Sequence, residues 1–243
     1  MIASPPRQAV ILAAGCGTRL GRLTDTLPKC MVEVAGRPIL EHTIAHLASY
    51  GVTELFVNLH HRPDGITRHF GSGARWGVDI TYLHEPTLLG TAGTVRALRH
   101  RLSGTCVVWY GDNLSHCRLD RMWEAHRAGG ATATIAVHRR ERAGESGVVV
   151  LDRTDRVTAF TEKPGPTVTS ALVNAGIYLL DRGAVESIPR RVPCDFGADA
   201  LPSMVQSGQP VIGYRLAARE GLWWSDRPDD LMRTRATFQL ATR

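Results

Sequence analysis

The chain has 243 residues, 43% of them apolar, which suffices for one substantial core, and it contains no run of about 18 apolar residues able to cross a membrane. A net charge of +6 raises nucleic acid as a partner, but the arginines are scattered and cluster only at Arg139, Arg140 and Arg142. Such a cluster is ordinarily a solvated face, and a positive cleft for a small polyanion explains the charge equally well, so neither nucleic acid nor membrane is expected as a partner.

The first element is a strand. Val10, Ile11 and Leu12, then Ala13 and Ala14, form an apolar run that empties into Gly15-Cys16-Gly17-Thr18-Arg19. Glycines after a strand let backbone N–H groups approach an anion, and an arginine can fork two of its oxygens, so the turn reads as a phosphate cradle. Lys29 adds a second cation after Pro28. The spacing is not the dinucleotide fingerprint, because the third glycine falls at Gly21, and no Walker loop is present. Pro38 then opens a helix with Ile39, Leu40, Ile44 and Leu47 on one face, stopped by Gly51. Leu55–Leu59 reads as a strand, Asp64–Phe70 as a short helix, Val78–Leu83 as a strand and Ala92–Leu102 as a helix. Cys106–Tyr110 is a buried strand running into Gly111-Asp112-Asn113. Leu119–Ala128 is a helix closed by Gly129-Gly130, and Ala131–His138 a strand. This alternation predicts an α/β fold, Rossmann-like, with a mainly parallel sheet flanked by helices.

After residue 140 the texture changes. Val148–Leu151 and Val157–Phe160 suggest a hairpin, Asn174–Leu180 another strand, and Ala184–Ile188, Ala200–Ser207 and Pro228–Leu240 helices. The expectation is a single domain over 1–243, with one half over about 1–139 and a smaller, β-rich half over about 140–243. Hexapeptide repeats are absent, so no β-helix extension is expected. The start MIASPPRQ lacks the apolar segment of a signal peptide, which points to the cytoplasm. Cys16, Cys30, Cys106, Cys117 and Cys194 form no C-x-x-C pair and read as small buried residues or loop thiols. Of 29 basic residues only Lys29 and Lys163 are lysines. An arginine-rich chain that keeps lysine at two motif positions has kept a compact, mobile ammonium where a planar fork fits poorly.

The stretch Leu12 to Lys29 resembles, position by position, the signature L-A-x-G-x-G-T-R-L-x-x-L-T-x-x-x-P-K of the sugar-phosphate nucleotidyltransferases, or nucleotide-sugar pyrophosphorylases. The chain looks most like the short mannose-1-phosphate and heptose-1-phosphate guanylyltransferase-type members. The resemblance implies a GT-A-like nucleotidyltransferase fold, with a nucleotide-binding half over about 1–139 and a sugar-phosphate-binding half over about 140–243. It assigns the nucleotide to Leu12, Ala13, Ala14, Gly15, Gly17 and Thr18, with Arg19 and Lys29 on the phosphates. An aspartate after a buried strand, taken alone, most often caps a turn. The family carries Gly-Asp at this point and uses the carboxylate for metal, so Gly111 joins the nucleotide site and Asp112 becomes a Mg²⁺ ligand.

Three further stretches carry the resemblance. Glu162-Lys163-Pro164, read alone, is surface charge. In the family the lysine contacts the sugar 1-phosphate, while the glutamate and a later asparagine, here Asn174, hold sugar hydroxyls. The segment His84 to Gly93 resembles the base-reading segment, which assigns Glu85, Gly90 and Thr91 to the nucleotide. An ionised Glu only accepts hydrogen bonds and guanine offers N–H groups, so Glu85 favours GTP over UTP, dTTP, CTP or ATP. The alternative for Glu85 is a loop carboxylate pointing to water. Trp223 to Leu231 resembles W-x-D-x-G-T-P-x-x-L with two residues missing between Asp226 and Pro228. Asp226 is the expected second Mg²⁺ ligand, although alignment without the gap would put Trp224 there.

The implied reaction is attack of a sugar (or cyclitol) 1-phosphate oxygen on the α-phosphorus of an NTP, releasing pyrophosphate. Phosphate is already an ionised nucleophile, so positioning and charge neutralisation suffice, with Arg19, Lys29, Asp112 and Lys163 as the catalytic set. Two other classes compete. A non-catalytic nucleotide-sugar-binding regulator conflicts with the presence of all four residues. A glycosyltransferase should show D-x-D where this chain reads Gly111-Asp112-Asn113. The resemblance also implies a homo-oligomer, with no interface signal in the sequence to set its size.

Overall fold

The computed structural model describes residues 5–15, 17–24, 27–141, 143–168 and 170–241, with the side chains of Thr18, Arg19, Arg22, Ser170 and 239–241 excepted. In chain order the strands are β1 Gln8–Leu12, β2 Glu33–Val34, β3 Arg37–Pro38, β4 Glu54–Leu59, β5 Asp79–His84, β6 Cys106–Tyr110, β7 Ala133–Glu141, β8 Gly147–Leu151, β9 Val157–Glu162, β10 Ser170–Leu180 and β11 Val211–Arg215. The α-helices are α1 Ile39–Ser49, α2 Pro63–Phe70, α3 Thr91–Ala97, α4 Leu119–Ala128, α5 Arg182–Ser187, α6 Leu201–Gln206 and α7 Pro228–Ala241. The fold is mixed α/β with a mainly parallel sheet flanked by helices, as the alternation of apolar runs implies. No helix among the described residues is long and apolar enough to cross a membrane.

The chain forms two compact units that exchange segments. The second contains Arg7–Leu88, Trp109–His116 and Ala218–Arg243. Its strands β1, β4 and β5 are parallel, with Leu12 opposite Asn58 and Leu59 opposite His84. All five residues of β1 are buried, the signature of a parallel strand covered on both faces. Because the strands run the same way, their carboxyl ends deliver Ala13, Asn58 and Glu85 to one side of the sheet. The end of β6 joins them, the Gly111 N–H donating to Leu12 O at 2.9 Å. Ligands of open α/β sheets bind outside such carboxyl ends. The core of this unit gathers Leu20, Val32, Val34, Ile39, Leu114, Leu231 and Phe238.

The first unit, chiefly Leu89–Val108 and Cys117–Ala217, pairs β7 with β11 in parallel and with β10 antiparallel, while β8 pairs with β10 and β9. Three details differ from the sequence expectation. Strand β11 has no alternation to announce it, and Gly213 at its centre lies against Leu151, where a Cβ would be 2.5 Å from Cδ2. Strand β10 begins at Ser170, four residues before the expected start at Asn174, and residues on both sides of a register shift between Asn174 and Tyr178, with Gly176 at φ +71°, keep their pairing with β7. Helix α3 stops at Ala97, where the Leu98 N–H is shared between Thr94 O (3.3 Å) and Val95 O (3.1 Å), tightening the last turn.

Burial lowers the pKa of His42, His116, His126 and His138 below the ordinary value. His116 Nε2 is buried with no hydrogen-bond partner among the described residues, and its ring stacks on Phe238 of α7 at 5.2 Å. With folded pKa values depressed, the unfolded chain binds more protons between each folded value and about 6.5, so stability is full above that range and falls as pH drops through it. The melting temperature should therefore fall between about pH 7.5 and 5.5, and His116→Phe should shrink the fall. An equal fall in both proteins would remove His116 from the cause.

Candidate active site

The loop after β1 is held in shape by its own residues. Gly17 adopts φ +64°, and a Cβ there would lie 2.9 Å from both Lys29 Cβ and Thr24 Cγ2, so only glycine fits on both counts. Thr24 Oγ1 donates to Gly17 O (2.9 Å) and Gly21 O (3.1 Å), which ties the loop shut. Leu20 sits in the core, and Leu27 packs against it. The apolar and hydroxyl positions of the run thus build the cradle. Cys16 lies outside the described residues, as do the side chains of Thr18 and Arg19, so of the two expected cations here Lys29 is the one described.

Lys29 is buried, with 7% side-chain exposure, and its Nζ donates to Asp112 Oδ2 at 2.5 Å and to Asp226 Oδ1 at 2.6 Å. Burial alone pulls the ammonium's pKa down. The two carboxylates outweigh it, and the net shift is upward. The two aspartates lie 83 and 197 positions from Lys29 in sequence, and they converge on it for identifiable reasons. A Cβ at Gly111 would lie 3.1 Å from Leu12 O, a tight fit, so glycine eases the close approach to β1 that sets Asp112 beside the turn after β1. Leu114 and Trp223 then exchange backbone hydrogen bonds at 3.1 and 2.9 Å, and Ser225 Oγ donates to Asp112 O at 3.1 Å. This short ladder brings Asp226, and not Trp224, onto Lys29. Ser225 escaped the sequence reading. Its only signal is its place beside the aspartate.

A second polar group lies at the ends of β1 and β4. Asn58 Oδ1 accepts the N–H of Ala13 (2.7 Å) and of Ala14 (3.2 Å), while its Nδ2 donates to Glu85 Oε1 at 2.9 Å. Glu85 is 2% exposed, and its carbonyl lies 2.7 Å from His60 Nδ1. The alternative of a carboxylate pointing to water is thereby removed. Asn58 was missed in the sequence, where the signal is a lone amide ending the apolar strand Leu-Phe-Val-Asn-Leu.

In the first unit, Gly90 and Thr91 are clamped to Cys194–Phe196. Gly90 takes φ +81° and a Cβ would collide with Cys194 O, while the N–H groups of Ala92 and Gly93 both donate to that oxygen at 2.9 Å. Thr91 N and Oγ1 donate to Asp195 Oδ1, each at 3.0 Å, and the Phe196 N–H donates to Thr91 Oγ1. Glu162 fits between Gly147 and Gly197; a Cβ on either would press on its Oε2. Lys163 has φ +44°, its N–H donates to Ser146 O, and its ammonium stands exposed 3.5 Å from Glu162 Oε1. Asn174 spends part of its amide inside the β10 irregularity, accepting from Gly176 N (2.9 Å) and donating to Tyr178 OH (2.6 Å). An amide has two donors and two lone pairs, so capacity for a further partner remains.

The donor set can be tested against a divalent cation. Two carboxylate oxygens already share one cationic group, and hard cations take oxygen ligands. Among the described residues no group of three or more His, Cys, Asp or Glu could hold a metal. Mg²⁺ commonly takes one or two carboxylates and draws its other ligands from substrate phosphate and water, and Asp112 with Asp226 is a donor pair of that size. The residues fit it.

A family model described as nucleotidyl transferase matches residues 8–234. The chain is 34% identical over 224 residues to a UTP–glucose-1-phosphate uridylyltransferase of Synechocystis sp., covering 86% of this chain and 58% of that protein. It is 32% identical over 229 residues to a mannose-1-phosphate guanylyltransferase of Mycobacterium tuberculosis, covering 93% and 62%. It thus spans about 60% of the length of these curated relatives. Among solved structures, HddC from Yersinia pseudotuberculosis complexed with GMP-PN superposes with TM-score 0.80 at 21% identity, over 96% of this chain and 99% of that one. A structure of a glucose-1-phosphate thymidylyltransferase, so assigned without proof, from Bacillus anthracis gives 0.82 at 20% identity, over 95% and 94%. At these identities the likeness is one of fold.

Removing the shared cation leaves two carboxylates facing each other. Lys29→Met should lower stability by about 2 kcal/mol, and adding Asp112→Asn should restore part of it. Thermal or denaturant melts check this. A double variant no more stable than Lys29→Met would mean that repulsion is not what the lysine suppresses.

Proposed function

This chain belongs to the nucleotidyl transferase family, and from that premise we propose that it transfers a nucleoside monophosphate from an NTP to a sugar or sugar-like 1-phosphate, giving an NDP-sugar and pyrophosphate. The observation that carries this reading is the convergence of Asp112 and Asp226 on Lys29 beside the glycine turn after β1. Phosphoryl-group chemistry of this kind needs anions held in line and charge neutralised, with little covalent work from the protein.

Each residue has a role in keeping with its surroundings. The backbone from Leu12 to Thr18 holds the triphosphate, and Arg19 forks its oxygens. Gly111 keeps β6 close enough for Asp112 to reach the same phosphates. Lys29 stays charged throughout, since its raised pKa lies far above neutrality, and it supplies positive charge to the reacting phosphates. Asp112 and Asp226 would hold Mg²⁺, which when bound supplies Lewis-acid charge stabilisation to phosphate oxygens. Lys163 holds the sugar 1-phosphate as a mobile ammonium on an exposed turn. Glu162 and Asn174 read hydroxyls, of a sugar or a cyclitol. Gly90 and Thr91 support the nucleoside, and Glu85 reads the base.

The buried, acceptor-only Glu85 supports GTP, in line with the guanylyltransferase relative. A second reading, UTP, is favoured by the 34% identity to a uridylyltransferase. A cytoplasmic homo-oligomer completes the proposal.

Pyrophosphate release with Mg²⁺, crossing five NTPs with a panel of sugar 1-phosphates, tests the reaction. Release with GTP alone supports both the reaction and Glu85; release with UTP alone keeps the reaction and discards the base assignment. No release with any pair, while nucleotide still binds, would point to a sugar-like acceptor outside the panel or to the non-catalytic regulator. In an active pairing, Asp112→Asn should cut kcat about 100-fold or more, and a near-normal rate would remove Asp112 from the metal. Lys163→Ala should raise KM for the sugar phosphate more than for the NTP. The reverse pattern would move Lys163 to the nucleotide.

A further inference from the structure

We infer that Gly144 is a positioning residue for the sugar 1-phosphate: it lets two loops close on each other and so holds Lys163 in a strained backbone that aims its ammonium. The inference rests on the reading that Lys163 meets that phosphate. Its starting point is the backbone of the lysine. Lys163 has φ +44°, a left-handed conformation in which Cβ crowds the backbone and which glycine alone adopts freely. Among the described residues the other non-glycine cases are Ala35 and Asp155, in hairpin turns, and Arg62, just before α2. Lys163 instead follows the end of β9, and Pro164 after it narrows its conformational choice further. Packing does not call for a lysine there, because the side chain is 69% exposed, with its ammonium 3.5 Å from Glu162 Oε1. A glycine would serve this backbone better. What the chain keeps at 163 is therefore the ammonium and its direction.

A second loop holds the strain. Strands β8 and β9 pair Gly147 with Glu162, and the ladder runs one step further, the Lys163 N–H donating to Ser146 O at 3.2 Å. Beyond it the Gly165 N–H donates to Gly144 O at 3.2 Å, the Gly144 N–H to Val168 O at 3.2 Å and the Val168 N–H to Gly165 O at 3.3 Å. Lys163 is thus pinned on both sides of its own backbone. Gly144 is buried, and a Cβ there would collide with Gly165 O and lie 2.6 Å from its carbonyl carbon. The φ of Gly144 is not left-handed, so glycine at this position answers to space alone. Gly165 is the opposite case, with φ +104° and nothing within 4 Å of a Cβ. If the clamp opened, φ at 163 could relax toward about −65°, which rotates the side chain by roughly 110° about the N–Cα bond. The ammonium would then leave the chain in another direction.

Thermal melts come first, since they need no ligand. Lys163→Gly relieves the strain and Lys163→Ala keeps it, so Lys163→Gly should melt about 2–4 °C above Lys163→Ala. With Gly144→Ala added to each, the gap should shrink to within about 1 °C, because the open clamp no longer imposes φ. The same gap in both backgrounds would show that Gly144 does not hold Lys163, and no gap in either would remove the strain; each overturns the inference. In an active pairing, Gly144→Ala should raise KM for the sugar 1-phosphate about fivefold or more and leave KM for the NTP within about twofold. Gly144→Ala with Lys163→Ala should match Lys163→Ala alone, because the ammonium through which Gly144 acts is already gone. Fold-changes that multiply would place the effect of Gly144 elsewhere and overturn the inference. A normal KM in Lys163→Ala would fail the reading of Lys163 itself, whereas a raised KM there with a normal one in Gly144→Ala would sink the inference alone. Should Gly144→Ala not fold, Gly165→Ala opens the same clamp through its φ, and both expectations pass to it.

Discussion

The second unit depends on one ammonium. Lys29 Nζ stands 2.5 and 2.6 Å from carboxylates of Asp112 and Asp226, and without it two half-buried anions would face each other. Attraction of that kind is large in a low-dielectric setting and is opposed by desolvation of three charges. The geometry that makes it favourable is supplied by backbone. A two-bond ladder between Leu114 and Trp223, and the hydroxyl of Ser225 on Asp112 O, hold the C-terminal segment in place. A lysine ammonium is a compact point charge with three donors, and two carboxylate oxygens approach it here from different segments. This accounts physically for one of only two lysines in a chain that otherwise uses arginine.

Close backbone approach is the second constraint. Gly17 over Lys29, Gly111 over Leu12, Gly90 over Cys194 and Gly197 over Glu162 all occupy positions where a Cβ would meet a neighbour. At two of them, Gly17 and Gly90, the left-handed φ adds a conformational reason. Each lies next to a residue assigned to binding or catalysis. Glycine here trades chain entropy for contact distance, and the polar side chains beside it gain rigid settings.

Polar groups buried among apolar strands carry the remaining information. Asn58, Glu85 and Lys29 are each at most 6% exposed. A buried polar group without a partner costs about 1–3 kcal/mol, so such groups persist where their partners are specific. Here the partners are strand-end amides, an amide side chain and two carboxylates.

Much of this was legible in the sequence. The alternation of apolar runs with helical periodicity announced the α/β class, because both periods are local properties of short segments. The run from Leu12 to Lys29, with Gly111-Asp112 and Glu162-Lys163, carried the resemblance to the family, which the family match over residues 8–234 bears out, because such a motif is a local string of residue types. Strand β11 was hidden because its edge position and Gly213 leave no alternation to read. Asn58 and Ser225 were hidden because each acts on a residue distant in sequence, Asn58 on Ala13 and Ser225 on Asp112. The choice of Asp226 over Trp224 was open in a motif two residues short, and register alone could not settle it. The strand pairing of Leu114 with Trp223 puts Asp226 beside Lys29, a neighbour that spacing within the motif does not reveal. Residue type and local spacing determine which chemistry this chain can perform; which residues share a charge is decided by long-range backbone pairing, a property no single segment contains.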